Sequence, residues 1–193
     1  MTVIVGAVDK KTKKVYMGAD KGYFEDDGTH YISPEPKILK KKIGEFKGKP
    51  VYMLIGGAGD VKPWNIIVPW KTAKLNYDPA KMTAHEFIIQ VFAPKLKKLL
   101  EDNGYKAGPK AESIFLVGLE GQLFKIQEGD YGVTIPAPYG MGIGAASIPA
   151  VGVLYALDKL KSKISTKQKI KLALEASINV SKDARGPIDI LSV

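Results

Sequence analysis

The stretch Thr2-Val-Ile-Val-Gly-Ala-Val-Asp9 opens the chain with β-branched residues directly behind the initiator Met1. A lysine-rich turn follows, and then a second run of the same kind, Val15-Tyr-Met-Gly-Ala19, which leads into Asp20. Two such runs on either side of a polar turn predict a β-hairpin. This hairpin begins with the first residues of the chain, and it brings Asp20 beside the chain start.

Strand signals and helix signals come in alternating blocks along the rest of the chain. After a polar, aromatic stretch that predicts an exposed loop or irregular strand, the spacing of apolar residues and the turn residues predict the remaining elements. In chain order these are a loop over 21–36, strand pieces at 37–39 and 43–46, a buried strand at 51–55, helices over about 64–74 and 83–103, a hairpin of 113–119 with 122–126, helices over 147–160 and 165–180, and a strand at 188–193. Pro94 is expected to kink or split the second helix.

The order of these blocks predicts an α+β fold. Short turns between paired strands favour antiparallel pairing, so we expect two antiparallel sheets packed face to face with helix pairs outside, a four-layer αββα sandwich. A chain of 193 residues has the length of one ordinary domain. We therefore predict a single domain over residues 1–193.

Composition excludes several classes of function. Apolar residues at 45% and charged residues at 25% are typical of a soluble globular protein, which we expect to be cytoplasmic and without a membrane segment. The net charge is +9, but the lysines are scattered and Arg185 is the one arginine, so no nucleic-acid partner is predicted. With no Cys and two His residues, neither a metal site nor a cofactor is expected.

Thr2 is the first candidate for chemistry. Its small side chain permits removal of Met1, which leaves a residue that carries both a hydroxyl and a free α-amine. An α-amine has an ordinary pKa of about 7.7–8.0, so it can accept the hydroxyl proton near neutral pH. A hydrolase of this kind needs no Cys, His or metal ion.

A carboxylate and a lysine near Thr2 would support this chemistry. Asp20 ends the second strand of the hairpin, and a lysine paired with it would lower the pKa of the Thr2 amine or hydroxyl. Lys37 and Lys42, each followed by Ile, are the two candidates. Spacing alone does not choose between them, and an ordinary ion pair is the alternative interpretation.

Glycines after the buried strand form a second candidate feature. Gly56 and Gly57 stand where a strand leads into a predicted helix, within Gly56-Gly-Ala-Gly59. Glycines at such a junction allow backbone N–H groups to approach a substrate carbonyl, as an oxyanion hole requires. A tight turn without function is the alternative.

In the order of these motifs, nearly the whole chain resembles the proteasome β-subunit family and the bacterial and phage-associated proteasome-like peptidases, which are N-terminal nucleophile hydrolases. Thr2-x-x-Val5-Gly6 resembles the N-terminal strand of that family, and Met17-Gly-Ala-Asp20 resembles the strand end that carries the catalytic acid. Pro36-Lys37-Ile38 and Lys42-Ile43 compete for the catalytic lysine. The segment 52–59 is similar to the strand and turn that supply the oxyanion N–H.

The resemblance also covers the second half of the chain. Gly142-Ile-Gly-Ala-Ala-Ser147 is similar to the Gly-Ser-Gly turn of the family, and Asp183-Ala-Arg-Gly is similar to its C-terminal Asp-x-x-Ser-Gly segment. Ala145 stands where the family has serine, and no serine follows Asp183 at the matching position. Ser147, Ser181 or a water molecule is the candidate for the supporting role. The resemblance implies a threonine-type endopeptidase acting on peptides or unfolded proteins, in a chambered homo-oligomeric ring, with an ATP-dependent unfoldase as a possible partner.

Two other functions fit the same residues. One is an amidohydrolase of the same fold that acts on small amides. The other is a structural or interaction protein that keeps the fold without chemistry, which the alanine at position 145 favours. Retention of Met1 would block the free amine and would point to this last possibility.

Overall fold

The predicted opening hairpin forms the centre of a four-stranded antiparallel sheet. Strand β1 (Ile4–Val8) pairs with β2 (Val15–Asp20), β10 (Met141–Ile143) pairs with the other edge of β1, and β11 (Ile188–Ser192) pairs with β2. The strand order is therefore β10-β1-β2-β11. Segments from both halves of the chain thus flank the first strand.

The chain is represented by a computed structural model, which describes residues 2–24, 28–106 and 113–193. In the segment 21–36, which the sequence predicted to be a loop or irregular strand, β3 (Gly22–Phe24) and β4 (His30–Ile32) form a two-stranded antiparallel ribbon. Tyr23 lies directly opposite Tyr31 in this ribbon, and the two rings stack with centroids 5.8 Å apart. Aromatic cross-strand pairs of this kind stabilise a short ribbon.

A second antiparallel sheet contains five strands. Its order follows the chain: β5 (Ile38–Phe46), β6 (Lys49–Ala58), β7 (Ile114–Leu119), β8 (Gln122–Gln127) and β9 (Val133–Thr134). The predicted hairpin of 113–119 with 122–126 is present as β7 and β8. Every strand of this sheet is adjacent in space to its neighbour in sequence.

Strand β5 is continuous where the sequence predicted two pieces. The pairing register with β6 shifts between Lys42 and Gly44, which marks a β-bulge. Gly44 bridges to Tyr77, and a Cβ atom at position 44 would collide with the Tyr77 carbonyl oxygen. Residues 40–42, where a gap between two pieces was predicted, are regularly paired with β6, and the bulge follows them within the same strand.

One group of helices covers the five-stranded sheet. It consists of α1 (Val61–Ile67), a 3-10 turn (Thr72–Leu75), α2 (Ala84–Phe87), a π-helical segment (Ile88–Phe92) and α3 (Ala93–Asp102). Thr83 forms a capping box at the start of this group, since its hydroxyl accepts from the Glu86 N–H and the Glu86 carboxylate accepts from the Thr83 N–H. The predicted helix over 83–103 is thus divided, with Pro94 in the first turn of α3.

The second helix group consists of α4 (Ser147–Lys159) and α5 (Thr166–Val180), close to their predicted bounds. Ser165 caps α5 by accepting a hydrogen bond from the Gln168 N–H at 3.2 Å. The two helices pack against each other and against the four-stranded sheet.

Apolar side chains gather in three buried clusters. One joins the two sheets and includes Ile4, Met17 and Leu116. A second packs the first helix group on the five-stranded sheet through residues such as Phe92, and a third packs α4 and α5 on the four-stranded sheet through residues such as Val5. Neighbouring residues Ile4 and Val5 face opposite clusters, as strand alternation requires. The protein is therefore a mixed α/β structure with antiparallel sheets.

Candidate functional site

Asp20 is the centre of a buried polar cluster at the end of β2. Its side chain is fully buried, and one carboxylate oxygen, Oδ1, accepts a hydrogen bond from the Val3 N–H at 2.9 Å. Oδ2 accepts from the Gly22 N–H at 3.0 Å and from the Arg185 N–H at 3.1 Å. Because these donors come from the chain start, from β3 and from the segment before β11, the carboxylate fixes three separate parts of the backbone around Thr2.

Lys37 pairs with this carboxylate. It directly precedes β5, its side chain is 3% exposed, and its Nζ lies 2.9 Å from Asp20 Oδ1. The ammonium also donates to the Gly22 carbonyl oxygen, and it lies over the Tyr23 ring at 5.0 Å from the ring centroid. A buried ion pair with additional hydrogen bonds is the arrangement in which two charges can remain in a protein interior.

Burial lowers the pKa of the Lys37 ammonium below its ordinary value, while the charge and the hydrogen bond of Asp20 oppose that shift. The group therefore loses its proton more readily than a lysine in water. A lysine of this kind can exchange a proton with a neighbour at a pH where an exposed lysine stays charged.

Thr2 lies next to the pair. Its neighbour Val3 donates to Asp20, and its own carbonyl oxygen accepts from the Ala146 N–H at 3.3 Å. Gly144 makes this approach possible, since it has a φ of 92° and a Cβ at that position would collide with the Thr2 carbonyl. The turn before α4 thereby holds the chain start in place.

Thr2 and Lys37 line one cavity of about 790 Å³. Its wall also contains Gly57, Ala145 and Ser147, all from segments that the sequence analysis singled out. The predicted residues Thr2, Lys37, Gly57 and Ser147 therefore meet at one concave site, and Asp20 lies buried behind it.

Besides the buried Asp20, three predicted residues do not reach the cavity wall. Lys42 lies on the exposed side of β5, where it pairs with Glu45. Gly56 is buried between the sheets, where a Cβ would contact Ile4 and Ile38. Asp183 lies outside the lining, and its Oδ1 is buried with no hydrogen-bond partner within residues 2–24, 28–106 and 113–193.

The strand end at Gly57 differs from the oxyanion site expected from the sequence. The Gly57 N–H donates to the Lys37 carbonyl oxygen at 3.4 Å, so it belongs to the pairing of β5 with β6. Since N–H groups alternate sides along a strand, the next N–H on that side is that of Gly59, which follows β6 and lines the cavity. Because β5 begins at Ile38, which pairs with Gly56, Gly59 lies past the end of the pairing between β5 and β6.

Tyr23 and Trp64 are site residues that the sequence analysis did not identify. Both line the cavity, and the Trp64 Nε1–H donates to the Pro36 carbonyl at 2.9 Å, directly before Lys37. The Trp64 ring also occupies the space beside Gly57 that a larger residue would need. The only sequence signal was the position of Tyr23 three residues after Asp20.

Outside this site, the described parts of the molecule contain another cavity but no cluster of metal ligands and no helix able to span a membrane. A second cavity, of about 690 Å³, lies between the β3–β4 ribbon and the end of α5, and none of the predicted site residues lines it. No cluster of acidic or histidine side chains suited to a metal ion occurs within residues 2–24, 28–106 and 113–193. Within these same ranges, no helix is both long and apolar enough to span a membrane.

Comparison with known proteins gives structural neighbours. No family model matches the sequence, and no curated protein matches it. Among solved structures, BPH from Thiobacillus denitrificans, in complex with epoxomicin, superposes with a TM-score of 0.74 at 14% identity and covers 100% of this chain and 98% of its own. HslV from Trypanosoma brucei gives 0.63 at 16% identity, with 100% and 98% coverage.

A third neighbour is the Anbu (Gly-1) mutant from Hyphomicrobium sp. strain MC1, with a TM-score of 0.68 at 13% identity and coverage of 98% of this chain and 80% of its own. Anbu from Pseudomonas aeruginosa, described as a helical assembly, matches with a TM-score of 0.66. All of these identities are low, so the likeness concerns the fold. The resemblance noted from the sequence is confirmed at that level: the chain has the proteasome-like fold of the N-terminal nucleophile hydrolases.

Proposed function

We propose that this protein is a threonine-type peptidase whose nucleophile is Thr2 after removal of Met1. Met1 itself lies outside the described residues. The observation that carries the proposal is the buried Lys37–Asp20 pair beside the chain start, because Lys37 lines the same cavity as Thr2. An ion pair with only a structural role would not need to lie beside the N-terminal hydroxyl. A hydroxyl that acts as a nucleophile, in contrast, is activated by a positive charge beside it.

In the proposed reaction the Thr2 hydroxyl oxygen attacks the carbonyl carbon of a peptide bond. Its proton passes to the free α-amine of Thr2, which later gives it to the departing amine as the C–N bond breaks. The positive charge of Lys37 favours deprotonation of the hydroxyl, and Asp20 keeps that charge in place. Water then hydrolyses the ester, which releases the acyl group and restores the Thr2 hydroxyl.

Stabilisation of the oxyanion is assigned to the Gly59 N–H rather than to Gly56 or Gly57. Support comes from the hydrogen bond that already occupies Gly57 and from the place of Gly59 at the cavity. Ser147, on the same wall, is the candidate for supporting the Thr2 amine. Asp183 takes no part in the proposal because it does not line the cavity.

We also propose a domain organisation, a location, an assembly and partners for the protein. We take residues 1–193 as one domain whose layers follow the αββα order, which the three apolar clusters support. We further propose that the protein is cytoplasmic and forms a homo-oligomeric ring, with peptides or unfolded proteins as substrates and an ATP-dependent unfoldase as a partner. The helical assembly of one Anbu neighbour supports self-association in general.

A catalytically idle protein of the same fold is the second candidate. Ala145 favours it, because this residue lines the cavity without a hydroxyl where the resembling family has one. An amidohydrolase that acts on small amides is an alternative to the peptidase. It would use the same nucleophile and would differ in its substrates.

Intact-mass measurement and peptide hydrolysis test the proposal together. We expect the purified chain to lack Met1 and to cleave unstructured peptides, and we expect Thr2→Ala to abolish cleavage while the unfolding temperature stays unchanged. Thr2→Ser keeps a hydroxyl and an amine and should retain part of the activity. Thr134→Ala, a change of the same kind at an exposed site, is the control.

Epoxomicin provides a second test, since one structural neighbour was solved in complex with it. After incubation with epoxomicin, an increase in the mass of the wild-type chain that is absent in Thr2→Ala would support the proposal. Full peptide cleavage by Thr2→Ala, or a wild-type chain that retains Met1 and cleaves nothing, would contradict it. Cleavage of small amides without cleavage of peptides would identify the amidohydrolase.

A further inference from the structure

The β3–β4 ribbon contributes an aromatic surface to the buried ion pair. Tyr23 lies in β3, one residue after Gly22, whose carbonyl accepts from the Lys37 ammonium. The centroid of the Tyr23 ring is 5.0 Å from Lys37 Nζ, and this falls within the range of a cation–π interaction. One short strand therefore offers the ammonium both an oxygen and a ring face.

The ring is held in this position from behind. Tyr31, directly across the ribbon, stacks on Tyr23 with an angle of 19° between the ring planes. Tyr31 is 46% exposed, so the stack runs from the surface to the ion pair. The Tyr23 phenol remains neutral, because burial and then the nearby Glu35 raise its pKa above the ordinary value. Its contribution to Lys37 is therefore that of a neutral ring.

The ring opposes the effect of burial on Lys37. Removal from water disfavours the charged amine, and the negative face of an aromatic ring favours it. The charge of Asp20, 2.9 Å from the ammonium, acts in the same direction as the ring. Without the ring, the lysine would keep its charge over a narrower range of pH.

We propose that Tyr23 is a positioning residue that holds Lys37 as a charged ammonium beside Thr2, through the face of its ring and with Tyr31 as its support. This inference deepens the proposed function and rests on it for its catalytic meaning. The effect on the lysine itself is independent of any reaction. Both Tyr23→Phe and Tyr23→Leu are informative, because the first keeps the ring and the second removes it.

The direct test is a pH titration of the lysine side chains by ¹³C NMR of the full chain labelled in lysine. The Lys37 resonance is assigned by its absence in Lys37→Met. We expect Tyr23→Leu to lower the pKa of Lys37 by about 0.5–1.5 units relative to the wild type, and Tyr23→Phe to leave it within about 0.3 units. Tyr52→Leu is the matched control, since Tyr52 lies over a different lysine, Lys40.

An unchanged Lys37 titration in Tyr23→Leu would overturn the inference, and so would an equal shift in the Tyr52→Leu control. Should Tyr23→Leu fail to fold, Tyr31→Leu tests the same point, because it removes the support of the Tyr23 ring and leaves that ring in place. We then expect the pKa of Lys37 to fall. An unchanged pKa of Lys37 in Tyr31→Leu would count against the inference.

Kinetics separate this inference from the proposed function. The alkaline limb of the kcat/KM profile should move to lower pH in Tyr23→Leu, by the same amount as the pKa of Lys37. In Tyr23→Phe, the alkaline limb should stay at the pH found for the wild type. A shifted titration in a wild-type protein that hydrolyses nothing would leave the positioning role standing and remove the peptidase. Peptide hydrolysis by a protein in which the pKa of Lys37 does not change in Tyr23→Leu would support the peptidase and remove the positioning role of Tyr23.

Discussion

Burial separates the two lysines that the sequence could not separate. Lys37 is 3% exposed and lies against Asp20, whereas Lys42 is paired with Glu45 at the surface. Both lysines come before the bulge that follows Lys42, and because they are five residues apart they face opposite sides of the sheet. Sequence reasoning left both lysines as candidates, because the resemblance to the family offered a match at Pro36-Lys37-Ile38 and at Lys42-Ile43.

Kinetic comparison of Lys37→Met with Lys42→Met tests this difference. We expect Lys37→Met to lower kcat by about 100-fold or more with a smaller change in KM, because the charge acts on the transition state rather than on bound peptide. Lys42→Met should leave both constants within experimental error, since its partner is an exposed glutamate. Equal losses in the two variants would contradict the assignment of Lys37 to the site.

The lowered pKa of Lys37 also predicts a pH dependence. If the charged ammonium is needed, kcat/KM should fall on the alkaline side at a pH below the ordinary lysine value of 10.5. On the acid side it should fall as the Thr2 amine gains a proton, at or below about 7.7–8.0. A profile measured with one fluorogenic peptide from pH 5 to 11 checks both limbs, and an alkaline limb at or above 10.5 would show that the Lys37 charge does not matter.

The sign of the accompanying stability effect follows from the direction of the shift. The folded-state pKa of Lys37 lies below the unfolded value, so the unfolded chain binds more protons between the two. The contribution of this group to stability is therefore least favourable below its folded-state pKa, and it improves as the pH rises toward 10.5.

At the scale of elements, the sequence predicted strands and helices well where one face is apolar and a cap is present. The capping box at Thr83 and the serine cap at Ser165 both mark helix starts that the structure contains. The prediction was less complete at 21–36, where the β3–β4 ribbon depends on the ring stack of Tyr23 and Tyr31. It also missed the short strands β9 and β10, since two or three residues give no periodic signal.

The divided helix after Thr83 gives a prediction at this scale. Thr83→Ala removes the acceptor for the Glu86 N–H at the start of a helix whose hydrogen-bond pattern changes after one turn. We expect a loss of about 0.5–2 kcal/mol in the free energy of unfolding, measured by urea denaturation. Thr83→Ser, which keeps the hydroxyl, should lose much less, and an equal loss would show that the methyl group rather than the cap is responsible.

The site as a whole could be predicted only in part from the sequence. Thr2 and Asp20 belong to one hairpin, so local pairing brings them together. Lys37, Gly59 and Ser147 come from the start of β5, the end of β6 and the start of α4, and their meeting depends on how the two sheets pack. The Arg185 N–H on Asp20 was outside the reach of sequence reasoning, because it requires β11 to pair with β2.

Asp20 links these distant segments, so its removal should affect the whole molecule. Asp20→Ala leaves the Lys37 ammonium buried without its carboxylate and deprives the N–H groups of Val3, Gly22 and Arg185 of their acceptor. Removing one partner of a buried ion pair costs about 3–5 kcal/mol, and we expect a loss of that size in urea unfolding of the full chain.

Matched variants show whether the loss comes from the pair or from the hydrogen bonds. Asp20→Asn keeps one carbonyl oxygen as an acceptor but loses the charge, so its loss should lie between those of the wild type and Asp20→Ala. Asp158→Ala removes the carboxylate of a surface pair with Lys10 and should cost less than about 1 kcal/mol. If Asp20→Ala behaved like Asp158→Ala, the carboxylate would not be what holds the chain start, β3 and the segment before β11 together, and the position of Thr2 would need another explanation.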